Sequence, residues 1–349
     1  MRPISPYTSS PMNKRLTYLD NLKVFLTVLV IFHHACQPYS PYSSWVYSPS
    51  NPSEIMPSIW HFESVNAAFF MGLFFFIAGF FVPGSCDRQG VKTFCGKKIV
   101  RLGIPLVVFG SILSLVSGHL EVGHLWFLEI LLVLCLLYAL IRLFCKTGIR
   151  ECNCGPSLSW IFLVALVMGL GTFFIRKSSP QNNWIWLFGF IHVEPAHILQ
   201  YIMMFVFGIV VFRLKWIEKM KNSIGWVTLI IGIALVIGNY LRNGGTWNAF
   251  VEQWFGFYES FLCVFLGVGL LWFFREFCNW DNRFWHWCAE QSYGVYILHL
   301  FILLGIQYAT DRVQMPIVFK FVSIGILTSI LSYFITWAIR KIPGVKQII

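Results

Sequence analysis

The chain has 349 residues, of which 57% are hydrophobic and 12% charged, against about 25% charged in an ordinary soluble domain. This composition excludes a water-soluble fold and makes the bilayer the solvent for most of the chain. The formal net charge of +11 is scattered through short loops, which excludes a nucleic-acid patch and suits membrane topology instead.

Ten apolar stretches follow in chain order, at about 22–38, 64–82, 100–117, 125–144, 158–175, 197–213, 224–241, 255–274, 291–308 and 317–338. Each approaches the roughly 20 residues that cross a hydrocarbon core. The expected fold is an all-α integral membrane protein, a single bundle of about ten transmembrane helices. Residues 1–21 form an N-terminal segment, 22–340 the membrane domain and 341–349 a tail. No cleavable signal peptide is expected, because the first apolar run follows a polar stretch and lacks an A-x-A-like exit.

Basic residues alternate between loops. Arg2, Lys14, Arg15 and Lys23 precede or open the first span; Arg88, Lys92, Lys97, Lys98 and Arg101 follow the second. Arg142, Lys146, Arg150, Arg213, Lys215, Lys219, Lys221, Arg275, Arg283, Arg340, Lys341 and Lys346 continue the set, so 21 of 26 fall on one side. Arg176, Lys177, Arg242, Arg312 and Lys320 remain for the other. The positive-inside rule then predicts an N-in, C-in protein with the basic side cytoplasmic. No cysteine falls in an expected outer loop, as a reducing compartment requires. Cys152-Asn-Cys154 lacks a second ligand pair at zinc-like spacing, so no metal is expected. The longest outer segments, about 39–63 and 176–196, are rich in Trp, Pro, Ser and Asn. These residues suit sugar contact, or simply interfacial turns.

Ionisable residues inside spans are costly and therefore mark function. The first span, "VFLTVLVIFHHACQ", carries His33 and His34. Lys23 and His34 are eleven residues apart, so they share a helix face, separated by roughly 16 Å along the axis. His33 points away from that face and reads as packing or acceptor-side. Glu129 lies at a depth similar to that of His34, and a carboxylate beside an imidazole would orient it. Lys98 and Arg101 are i,i+3 neighbours at the membrane border, fit to hold phosphate, and Pro105 bends or ends the start of that span. Ser292, Tyr296 and His299 share one face of the ninth span. With Trp126 they are candidates to line the cavity, and Glu259 is a further intramembrane acid.

Taken together, "YLDNLKVFLTVLVIFHHA", "MGLFFFIAGFFVP", "KKIVRLGIP", "HLWFLEILL" and "SYGVYILH" resemble the acyltransferase 3 family of integral membrane acyltransferases, over about residues 16–340. The family's Arg/Lys-x10-His motif falls on Lys23 and His34. Its Arg-x-x-Arg motif falls on Lys98 and Arg101, with Lys replacing the first Arg and losing the bidentate fork. The resemblance implies transfer of an acyl group, often acetyl or succinyl, from acyl-CoA to a hydroxyl, and the compact one-domain form looks like the glucan-modifying members. The expectations are therefore His34 as general base with Glu129 beside it, and Lys23, Lys98 and Arg101 on the CoA phosphates. No tightly bound cofactor is expected, the acceptor is a carbohydrate or glycan, and the membrane is the plasma membrane. The competing class is a transporter or exporter of a small polar solute, in which His and Glu would relay protons.

Overall fold

The computed structural model describes residues 15–42, 45–145, 155–242 and 249–349. Arg2, Lys14, Lys146, Arg150, Cys152 and Cys154 lie outside the described residues. All ten expected spans are helices long and apolar enough to cross a membrane. The protein is an all-α, multi-pass membrane bundle.

Helix α1 (Thr17–Cys36) runs into a short 3-10 turn, Gln37–Tyr39, and α2 (Ile59–Gln89) follows. At 1.5 Å per residue, the 31 residues of α2 reach roughly 46 Å, well beyond a hydrocarbon core of about 30 Å. Next come α3 (Val91–Lys98), a π-helical turn (Ile99–Gly103), α4 (Ile104–Ser117), a 3-10 turn (Gly123–Leu125), α5 (Trp126–Phe144) and α6 (Leu158–Arg176). A hairpin of β1 (Ile185–Leu187) and β2 (Ile191–Val193) precedes α7 (Pro195–Arg213). The chain closes with α8 (Trp216–Lys219), α9 (Asn222–Leu241), α10 (Ala249–Phe277), α11 (Arg283–Ala309), α12 (Ile317–Ile339) and α13 (Val345–Ile348). The apolar pattern of the sequence does not predict the hairpin. Its antiparallel register pairs Trp186 with His192, and Phe188 and Gly189 turn the chain at φ 55° and 80°.

In lipid, helices associate by close packing rather than by apolar burial. Helices α2 and α7 show this most directly. A Cβ on Gly79 would stand 2.0 Å from the Phe205 carbonyl oxygen, and one on Gly208 would stand 2.1 Å from that of Phe76. The two backbones touch because neither crossing residue has a side chain. Gly208→Val is expected to destabilise the bundle by about 1–3 kcal/mol, read as a lower midpoint in detergent denaturation. Helix α1 is wrapped by α2, α10, α11 and α12, so the helix carrying Lys23 and His34 is among the most enclosed in the fold.

The segment after α1 is tied down by charge. Lys320 of α12 is buried, with its Nζ 2.8 and 2.7 Å from the two carboxylate oxygens of Glu54. Asp311 accepts from the Tyr47 hydroxyl at 2.7 Å and from the Ser50 N–H at 3.0 Å. These contacts tie down Tyr47, Ser50 and Glu54, just beyond Trp45. The eight cysteines among the described residues are all free thiols.

Candidate active site

His33 and His34 occupy the last turn of α1, where Gln37-Pro38 ends the helix. The His34 ring is half-buried and lies in a stack. Trp45 stacks on it at 4.9 Å and 19°, and His299 at 5.5 Å and 16°. His34 Nδ1 is 2.6 Å from Gln37 Oε1. An amide oxygen only accepts, so Nδ1 carries the proton and Nε2 keeps its lone pair. The Trp45 indole donates to Gln307 Oε1 at 3.0 Å, which fixes the cover. His33 packs on Phe70 at 5.0 Å and meets His34 edge-on at 5.4 Å.

Two further imidazoles complete the group. His299 of α11 is fully buried, with Nδ1 2.7 Å from the Tyr296 carbonyl. His124, in the turn before α5, stands 5.0 Å from His299, with Nε2 3.0 Å from the Ile297 carbonyl. Tyr296 joins them through its hydroxyl, which donates to the His124 carbonyl. His124 escaped the sequence reading because it lies one residue outside an expected span. The signal available was another histidine at the mouth of an apolar helix.

The structure corrects the pairing of Glu129 with His34. Glu129 is buried, but its Oε2 accepts from the His192 N–H at 2.9 Å, and Gln37 orients His34. Glu129 lies five residues beyond His124, on another face of the chain entering α5. Trp126 goes with it. Its ring stacks on Tyr201 at 5.0 Å and meets Trp184 at 5.7 Å, beneath the hairpin. Phe127, packed on Tyr296 at 5.5 Å, connects this aromatic layer to the histidines. Ser292 does not join the site. Its hydroxyl donates to the Cys288 carbonyl at 3.0 Å and faces Tyr333 at 3.5 Å, in the contact between α11 and α12.

The opposite end of α1 carries Lys23. Lys23 Nζ is 2.6 Å from Asp20 Oδ1, and Arg15 holds the other oxygen of the same carboxylate at 2.5 Å. Lys23 also sits over the Phe81 ring at 5.4 Å. Lys98 and Arg101 are not the α-helical neighbours expected. Pro105 has no N–H to donate to the Arg101 carbonyl, and its ring crowds that oxygen. The backbone widens into the π-helical turn, and the Tyr293 hydroxyl donates to the Arg101 carbonyl instead. Lys98 then lies over Phe94 of α3, and Arg101 over Tyr293 of α11, 5.0 Å from its ring centre.

A second buried polar cluster lies under the hairpin. Glu259 is ion-paired with Arg176, and both side chains are almost fully buried. Arg176 Nη2 is 3.1 Å from His197 Nε2, and His197 Nδ1 is 2.7 Å from Glu194 Oε2. Gln181 donates to Glu259 at 3.1 Å, and the Asn182 N–H donates to Glu194 at 2.7 Å. Burial pushes the Glu194 carboxyl up. His197 and the Asn182 N–H more than offset this, leaving it below its ordinary value. Burial also holds His192 below its ordinary value, against a weaker pull from Glu121. Its ring stacks on Trp186 at 4.4 Å. Arg176 reads from sequence as an outer-loop cation and Glu259 as a lone acid. The structure joins them as an anchor for the hairpin.

Residues 16–341 match the family described as acyltransferase domain. Glucans biosynthesis protein C of Escherichia coli O9:H4 (strain HS) is 23% identical over 326 residues, covering 82% of this chain and 81% of its own. Its counterparts in Escherichia coli strains SMS-3-5 / SECEC and SE11 match with the same identity and coverage. No solved structure matches the chain.

Proposed function

The chain belongs to the acyltransferase-domain family and is a multi-pass membrane O-acyltransferase; from that premise we propose that it moves an acetyl or succinyl group from acyl-CoA to a hydroxyl of a glycan, with His34 as general base. Family membership sets aside the transporter alternative. The observation that carries the assignment of the base is the His34 stack: one nitrogen is committed to Gln37 and the other keeps its lone pair, on the helix that also bears Lys23.

The chemistry follows from that tautomer. Nε2 takes the proton as the acceptor oxygen attacks the thioester carbonyl. The C–S bond then breaks, and the departing thiolate takes the proton back as CoA thiol. Trp45, flat on the imidazole, stabilises the transient cation through its ring face. The polyanionic end of acyl-CoA suits the cationic end of α1, roughly 16 Å from His34. There Lys98, Arg101 and Lys23 would meet its phosphates, Lys23 exchanging Asp20 for phosphate. The basic end is then cytoplasmic in an N-in, C-in plasma-membrane protein, and only the acyl group crosses. A glycan acceptor is supported by the relatives being glucans biosynthesis proteins.

The test is acetyl-CoA and succinyl-CoA binding to detergent-purified protein, comparing wild type with Lys23→Ala and His34→Ala. Weaker binding in Lys23→Ala, with binding kept and turnover lost in His34→Ala, supports the scheme. Folded wild-type protein that binds neither thioester rejects it. Gln37→Leu releases Nδ1 and lets the ring choose the wrong tautomer. It is expected to lower kcat by about tenfold or more while the acyl-CoA Kd stays constant, read by steady-state kinetics beside equilibrium binding.

A further inference from the structure

We infer that His124 and His299 form a hydroxyl-recognition subsite beside His34, each accepting a hydrogen bond from a hydroxyl of a polyhydroxylated acceptor. This rests on the acyltransferase reading above and assigns it the residues that hold the acceptor.

Hydrogen bonds to backbone carbonyls fix the tautomer of each ring. His299 Nδ1 faces two carbonyls, those of Tyr296 at 2.7 Å and Val295 at 3.3 Å. Carbonyls only accept, so the proton is on Nδ1 and Nε2 holds a lone pair. In His124 the order is reversed: Nε2 faces the Ile297 carbonyl at 3.0 Å, which leaves the lone pair on Nδ1. His124 is 8% exposed and His299 0%. Both lone-pair nitrogens are buried without a hydrogen-bond partner among the described residues. A buried acceptor left unpaired costs free energy; other buried polar atoms of the described residues, His33 Nδ1 among them, also lack a partner, and what distinguishes these two is that backbone carbonyls fix both as acceptors beside His34. Here two stand together, their rings 5.0 Å apart, with His299 stacked on the proposed base.

Their chemistry selects the ligand. Both N–H groups are spent on backbone carbonyls, so neither ring offers a donor to an oxyanion. What remains are two acceptors, which attract O–H donors. An acceptor with several neighbouring hydroxyls can give one to His34 for deprotonation and two to His124 and His299 for positioning. A phosphate or carboxylate group would meet only lone pairs and is disfavoured.

The test uses purified full-length protein, acetyl-CoA as donor, and a panel of glucose oligosaccharides as acceptor probes. His124→Phe and His299→Phe remove the acceptor nitrogens and keep an aromatic ring. His124→Asn and His299→Gln return an amide oxygen near the lost nitrogen, because Asn reaches the Nδ1 position and Gln the Nε2 position. Losing one positioning hydrogen bond should raise the acceptor KM about tenfold in each Phe variant, with the acetyl-CoA Kd unchanged and the amide variants returning most of the loss. If wild type transfers acetyl but the acceptor KM does not move in any variant, the inference fails while the enzyme reading stands. A Phe variant that also loses acetyl-CoA binding is judged by its amide partner, whose acceptor KM must stay near wild type. Wild type that transfers to no sugar in the panel rejects the glycan reading and this subsite together.

Discussion

His34→Ala lowers kcat for acyl transfer by about 10²–10⁴-fold, the range that a positioned general base contributes, while acyl-CoA still binds. The separation of effects is what matters. His34 lies at one end of α1 and Lys23 toward the other, while Lys98 and Arg101 are held over Phe94 and Tyr293, so removing the imidazole leaves all three cations in place. The stack of Trp45 on His34 loses its centre, but Trp45 is held independently by Gln307. The variant should therefore fold, bind donor and fail in chemistry. Steady-state turnover beside equilibrium thioester binding reads both. A variant that retains most of its kcat would remove His34 from the mechanism and leave its family motif as structural.

The second large effect concerns stability. Arg176→Ala is expected to destabilise the protein by about 3 kcal/mol, because it takes the main counter-charge from the buried Glu259 carboxylate and leaves it only His197, with Nε2 at 3.6 Å, and the Gln181 amide. Glu259→Ala strands the guanidinium in the same way. Replacing both, as Arg176→Met with Glu259→Leu, should cost much less, since the penalty of a broken pair exceeds that of its absence. Gln181 donates to Glu259, and Glu194 ties both His197 and the Asn182 N–H. The single variants should therefore also loosen the hairpin and its stacked Trp184, Trp186 and His192. Denaturation in detergent, followed by tryptophan fluorescence, reports both events. A single variant as stable as the double would make the ion pair incidental.

Much of this protein could be read from the chain alone. All ten spans come from apolar runs, because a bilayer leaves so little choice of spanning structure that hydropathy alone identifies it. Lys23 and His34 are eleven residues apart in one helix, so their common stripe follows from helical rise and turn. The resemblance of five ordered motifs to one family likewise needed no coordinates. Other features depended on contacts between distant segments. Depth alone pairs Glu129 with His34, yet rotation about the helix sends it to His192, and depth carries no rotational information. Their spacing puts Lys98 and Arg101 on one α-helical face, but Pro105 acts backwards on Arg101 and turns that stretch into a π-helix. Gln37, Trp45, His124 and His299 come from the 3-10 turn after α1, the following loop, the turn before α5 and α11. No spacing encodes their meeting at His34. Helix formation is local and sums along the chain, whereas a site assembled from four segments exists only after α1, α5 and α11 have packed, and that packing decides which imidazole nitrogen is left with a lone pair.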